Sequence, residues 1–385
     1  MKIAFVDYVL SPDKPGRSGL SDLVWDMATH LIDKGHDVHV VASYHTTDYP
    51  DQRVSVHNFR TPPIGYKNVV GQLWILKRAA GIVKQLKPDV VHAPEYVSTA
   101  VFHTLNVGTP LVLTVPGNIY HRLSARDGNS YEWLYTQILK WAATVSARHC
   151  ASVIAISNVM KFWWEKTGSD ASRTPMIPLG ADPKRFRFMD EAKEVTGMGE
   201  DKTRLLFVGR FAKEKGVIDL LQALRKLDTI EQSRLSVTLV GGGPMREDIE
   251  RYVRENELGE CVLVREWLHP DQLSLWYSAA DALVLPSHTE GLSRTILEAM
   301  LCGTPVIGTR ISGTEDQVET GVTGFLYPDH DVEALAQILK DVVKNPDTLR
   351  GMRPMVRKYA LENLTWERIT ERLVNEVYDP IISRV

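Results

Sequence analysis

The chain has 385 residues, 44% of them apolar and 24% charged, and a formal net charge of −3. That length suits two domains, and the composition excludes a disordered or collagen-like chain. No apolar run approaches the ~18–20 residues of a membrane span, and Cys150, Cys261 and Cys302 are too far apart for a zinc site or a disulfide framework.

The charge is uneven. Residues 1–187 carry 21 Lys and Arg against 15 Asp and Glu, and the remainder carries 24 against 33. A positive first half suits an anionic substrate or membrane surface, and equally two domains with unlike surfaces. In chain order, KIAFVDYV is a strand; its apolar run is too short for a signal peptide and is broken by Asp7. Leu20, Leu23, Val24, Met27 and Leu31 then recur at helical spacing and stop at Gly35. Strands follow at DVHVVAS, DVVHA (89–93), PLVLTV (110–115) and ASVIAIS (151–157), with helical patterns near 70–86, 96–106 and 130–148. The pattern restarts at RLLFVGR (204–210), continues through a helix near 215–228 and LSVTLVGG (235–242), and ends in CVLV, ALVLP and PVIG at 261–264, 282–286 and 305–308. This alternation predicts an α/β chain of two Rossmann-like doubly wound domains, 1–187 and 188–363, facing each other across a cleft, with 188–203 as the linker.

Three stretches carry candidate chemistry. In P-S-H-T-E-G-L-S-R-T-I-L-E (286–298), Glu290 lies in a loop and Glu298 inside the following helix. The first N–H groups of that helix, near Ser293, Arg294 and Thr295, suit a phosphate. The Glu298 carboxylate suits the diol of a ribose. Spacing alone also fits a helix-start charge and a surface glutamate. In V-G-R-F-A-K-E-K-G (208–216), Arg210 and Lys215 flank a strand-to-helix turn after Gly209, which suits a diphosphate or two solvated cations. The third stretch, 11–22, is a loop containing Gly16 and Gly19 that suits a phosphate or sugar, or an ordinary turn. GGGP at 241–244 reads as a tight turn.

No metal set is expected. The histidines of the first half have no i,i+4 pairing, and Asp329-His330-Asp331 sits just before a helix, where Asp commonly caps. Basic residues are too sparsely mixed with aromatics for nucleic-acid binding. The runs 67–87 and KFWWEK (161–166) suit a membrane-surface helix or a helix covering a sheet.

Taken together these stretches resemble the retaining glycosyltransferases of family 4, over almost the whole chain. Glu290-x7-Glu298 with its following Ala-Met and Gly-Thr-Pro-Val-Ile, Gly-Arg-x4-Lys-Gly at 209–216, and Pro-Leu-Gly-Ala-Asp…Phe at 178–186 carry the likeness. The resemblance implies the GT-B fold and a cytoplasmic hexosyltransferase acting on a nucleotide-sugar, with UDP-glucose or a similar UDP-hexose first and GDP-mannose second. It implies a glycan or lipid-linked acceptor, in surface polysaccharide or glycoconjugate synthesis. No cofactor or metal is implied. Peripheral inner-membrane contact would run through the first domain. By the same resemblance, Arg210 and Lys215 hold the diphosphate, and Glu290 bonds the donor sugar. Leu292, Ser293, Arg294 and Thr295 hold sugar and phosphate, Glu298 holds the ribose, and Arg265, Trp267 and Leu268 lie where the base is received. Gly16, Asn118 and His121 are candidates on the acceptor side. A C-terminal helix, 364–380, is expected to cross back onto the first domain. The chain departs from the family pattern at Leu179, Glu266, the Gly16–Gly19 loop and Pro116, which stands where many members have His. A nucleotide-sugar epimerase, a phosphorylase and a non-catalytic nucleotide-sugar-binding protein are the alternatives.

Overall fold

The computed structural model describes residues 1–384 except 8–18, 44–48, 60–68, 116–129 and 197–201. These residues form two compact units. One joins Met1–Leu179 to Trp366–Val385, and the other is Gly180–Thr365.

The first unit is built on β1 (Lys2–Asp7), β2 (Asp37–Ala42), β3 (Ser55–Asn58), β4 (Val90–Ala93), β5 (Leu111–Thr114) and β6 (Ser152–Ile154). The strands lie in the order β3-β2-β1-β4-β5-β6, all parallel. Strands β4 and β5 are buried throughout, as a parallel sheet covered by helices requires. The C-terminal residues belong to this unit. Tyr378, in a π-helical turn, places its hydroxyl 2.6 Å from Nδ1 of His92, whose Nε2 lies 2.8 Å from Thr114 Oγ1. Burial pushes the His92 imidazole down to about 3, so it is neutral at pH 7.

The second unit repeats the plan with β7 (Thr203–Val208), β8 (Leu235–Val240), β9 (Val262–Arg265), β10 (Ala282–Leu285), β11 (Val306–Thr309) and β12 (Gly324–Tyr327). Their order is β12-β11-β10-β7-β8-β9, again all parallel. Read from its own first strand, this is the order of the first sheet. In both, strand order reverses beside the first strand, between β1 and β4 and between β7 and β10. The carboxyl ends at such a reversal leave a crevice where ligands bind.

Two expectations are revised. The units divide between Leu179 and Gly180, not after 187, because 180–187 pack with the second unit. Ser274 Oγ and Ser278 Oγ donate to the carbonyls of Arg185 and Arg187, and Phe186 lies edge-on to Tyr277. Nor is 188–203 a free linker: Met189 N donates to Ser278 Oγ, Ala192 is buried, and Ala192–Thr196 is a short helix.

Candidate active site

The loops after β7 and β10 meet at the reversal in the second sheet. After β7 the chain passes Gly209 and Arg210, makes a 3₁₀ turn at Lys213–Lys215, and enters the helix Val217–Arg225 through Gly216. Gly216 has a left-handed φ of 61°, and a Cβ there would lie 1.9 Å from the carbonyl oxygen of Pro286. Only glycine lets the two loops come this close. His288 N donates to Glu214 O, which fastens them.

This approach unites the two sequence motifs. Lys215 Nζ donates to Glu290 Oε1 at 2.6 Å, across 75 residues of sequence. Ser287 Oγ donates to the same oxygen at 2.8 Å. The Glu290 side chain is 9% exposed and that of Lys215 23%. Arg210 behaves differently. It is 63% exposed and donates to Glu214 Oε1 at 2.5 Å on its own loop.

The helix Arg294–Leu301 begins at Ser293, and no side chain caps it. The start of a helix is where an anion would be held. The Ser293 N–H is already committed to Gln317 Oε1 at 2.9 Å, while Gln317 Nε2 donates to Ser293 O at 3.0 Å. Ser293 Oγ pairs with Thr295 Oγ1 at 2.9 Å, and Leu292 is buried. Gly313, with φ 86°, lies under the Glu290 loop; a Cβ there would be 2.7 Å from Glu290 O.

Glu298 stands apart from Glu290. It accepts from the hydroxyl of fully buried Tyr277 at 2.9 Å. Burial raises the Glu298 carboxyl, against the charge of Arg294 and the Tyr277 bond. Burial first, then the adjacent carboxylate, pushes the Tyr277 phenol well up. At the end of β9, Arg265 lies over the Trp276 ring at 4.8 Å; beyond the strand, Trp267 is 58% exposed and Leu268 is partly covered. A side chain at Gly242 would meet the Trp267 indole nitrogen at 3.0 Å.

Gly19 opens the helix Gly19–Asp33. Gly16, Asn118, His121 and Pro116 lie outside the described residues. Reading the sequence missed Ser287, Gly313, Gln317 and Tyr277. The G-T-E-D-Q run after PVIG was the available signal for Gly313 and Gln317. It also missed that the fold gathers Asp219, His288 and His330, with one side-chain nitrogen or oxygen of each within 4.8 Å of the others. Asp331 does cap the next helix, accepting from Ala334 N at 2.9 Å.

Two family models match, one to each half: "Glycosyltransferase Family 4" over residues 17–185 and "Glycosyl transferases group 1" over 188–360. The D-inositol 3-phosphate glycosyltransferase of Pseudarthrobacter chlorophenolicus is 26% identical, covering 100% of this chain and 96% of that protein. A sulfoquinovosyl transferase of Arabidopsis thaliana is 24% identical over 95% of this chain and 71% of its own length. Among solved structures, a sucrose-phosphate synthase of Thermosynechococcus elongatus superposes with a TM-score of 0.80 at 21% identity, covering 100% of both chains. Anabaena HepE in complex with UDP superposes with a TM-score of 0.77 at 18% identity, covering 98% of this chain and 100% of its own. With two matching half-models and this fold, the chain belongs to the family 4 glycosyltransferases and has the GT-B fold.

Proposed function

We propose that the chain is a retaining hexosyltransferase that takes its sugar from a UDP-hexose and passes it to a glycan or lipid-linked acceptor. The observation that carries this reading is the contact of Lys215 and Glu290 at the reversal between β7 and β10, which joins two motifs far apart in sequence. HepE has been solved with UDP and glucose, which favours a uridine donor over GDP-mannose.

In this reading the diphosphate lies against Arg210, Lys215 and the start of the helix Arg294–Leu301. Lys215 leaves Glu290 for the phosphate, and Glu290 is released to accept from the sugar hydroxyls. Glu298, held by Tyr277, accepts from the ribose diol. Arg265, Trp267 and Leu268 border the base. The acceptor oxygen attacks the anomeric carbon on the face the diphosphate leaves. The C–O bond to the diphosphate breaks, and the acceptor proton passes to a phosphate oxygen. Positive groups already in place stabilise the growing charge, a contribution of ~3–4 kcal/mol for a single donor. Acceptor selection falls to the first unit. Trp133, Trp141 and Phe162 are exposed there, which supports peripheral contact with a membrane holding a lipid-linked acceptor. No described helix is long and apolar enough to cross a membrane.

Calorimetric titration with UDP- and GDP-hexoses, with and without Mg²⁺, tests the reading. One donor class should bind without added metal, and Glu298→Ala should weaken it. If no nucleotide-sugar binds, the donor assignment fails.

A further inference from the structure

Beside the donor loops, four side chains from three segments enclose a space that the glycosyl-transfer chemistry does not use. Asp219 comes from the helix Val217–Arg225, His288 from the loop after β10, and Asp329 and His330 from the turn after β12. The two imidazoles are stacked, with centroids 3.9 Å apart and planes 22° apart. Each is bordered by both carboxylates. On one side, Asp329 Oδ1 lies 2.7 Å from His288 Nδ1, and Asp329 Oδ2 lies 3.7 Å from His330 Nε2. On the other, Asp219 Oδ2 lies 3.8 Å from His288 Nε2 and 3.6 Å from His330 Nδ1.

A carboxylate only accepts, so the 2.7 Å contact places the His288 proton on Nδ1 and leaves a lone pair on Nε2 in the neutral ring. That lone pair then points toward the Asp219 carboxylate. The 3.6 and 3.8 Å separations are too long for N–H···O bonds, which fall at about 2.7–3.2 Å. Ligands bonded at about 2.0–2.1 Å around a tetrahedral ion are about 3.3 Å apart, a few tenths of an ångström inside the 3.6 and 3.8 Å separations from Asp219 Oδ2, and all three atoms lie within 4.8 Å of one another. A carboxylate on the far ring nitrogen of a ligating histidine also fixes its tautomer and orientation.

We propose that Asp219 Oδ2, His288 Nε2 and His330 Nδ1 bind one divalent first-row cation of the zinc class, with Asp329 as the outer carboxylate. A bound water completes four ligands. Tyr327, 3% exposed at the end of β12, has a hydroxyl with no partner among the described residues. The ion enters through His330, whose side chain is 68% exposed and borders a cavity of about 610 Å³ with Arg225, Lys226 and Tyr252. It clips the Glu290 loop to the helix that follows Lys215. The site is built from residues outside the donor assignments, so it stands whichever donor is used.

The test is zinc binding by the untagged full chain after chelator treatment, measured by calorimetry and by metal analysis after gel filtration. One equivalent is expected, and Co²⁺ in its place should give the visible bands of a four-coordinate site. His330→Ala and Asp219→Asn should abolish binding, and Asp329→Asn should weaken it ten- to a hundred-fold. His330 is exposed, so His330→Ala should melt like the metal-free wild type. If that variant fails to fold, Asp329→Asn decides. No zinc binding, or binding unchanged in these variants, overturns the proposal.

Discussion

The two sheets share one strand order and use its reversal differently. In the first unit, the polar groups described beside the reversal are satisfied within the fold. His92 is held between Tyr378 and Thr114, and Glu95 caps the helix Tyr96–Thr104 by accepting from Val97 N at 2.8 Å and Ser98 N at 2.6 Å. In the second, Lys215 and Glu290 pair with each other beside the reversal and remain partly open to solvent. A buried, satisfied polar group stabilises a fold. A pair that a ligand can separate recognises one. The topology supplies the crevice, and the loops decide what it does.

The contrast breaks most directly at Arg210. This exposed side chain contributes little to folding, so Arg210→Ala should melt within about a degree of wild type. Its rate of transfer should fall by about 10²–10³. Steady-state kinetics with a matched donor and acceptor measures this, and unchanged kcat/KM would remove Arg210 from the donor site. Next comes Gly313→Ala. Its φ of 86° and the 2.7 Å approach to Glu290 O force the loop beneath Glu290 to move. A loss of about 1–3 kcal/mol is expected. A thermal melt reads it, together with weaker donor binding by calorimetry.

The sequence made some of this legible and hid the rest for physical reasons. Strands such as β7 and β10 are covered on both faces and read as apolar runs. Edge strand β3, with the sequence SVHN, is half-exposed and has one apolar residue, so no run marks it. Lys215 and Glu290 were legible because each sits in a dense motif. That they touch depends on the strand order, and so does the arrival of Gln317 and Tyr277 at the site from other segments. The Asp219–His288–His330 group is invisible to spacing rules, because its members are 69 and 42 residues apart by their numbering.

The first unit is sharpened by pH. His92 has an imidazole pKa of about 3 in the fold and an ordinary value of 6.5. Between those values the unfolded chain binds a proton that the folded chain does not, so stability falls as pH drops from about 6.5 toward 3. The slope approaches ~1.4 kcal/mol per pH unit for this one group. Urea melts at pH 6.5, 5.5 and 4.5 on wild type and His92→Gln should show the variant losing less over this window. Parallel slopes would mean that His92 is protonated in the fold. Tyr378→Phe should lower stability at every pH by about 1–3 kcal/mol, because it leaves one buried ring nitrogen unpaired.

The smallest effect sits on the other side of the comparison, at Glu214. Its side chain holds Arg210 in an exposed pair at 2.5 Å, the kind of contact worth ~0–1 kcal/mol. Glu214→Gln should therefore leave the melting temperature unchanged. Its backbone carbonyl still accepts from His288 N, so the two loops stay fastened. Removing the carboxylate releases Arg210 and deletes a negative charge beside the proposed diphosphate. Donor affinity should rise by about two- to five-fold. The gain should shrink at high salt, because screening acts on exposed charges. Weaker binding instead would mean that Glu214 positions Arg210 for the phosphate. The exposed cation would then be held in place as firmly as His92 is in the first unit, and the distinction between the two reversals would narrow to Lys215 and Glu290 alone.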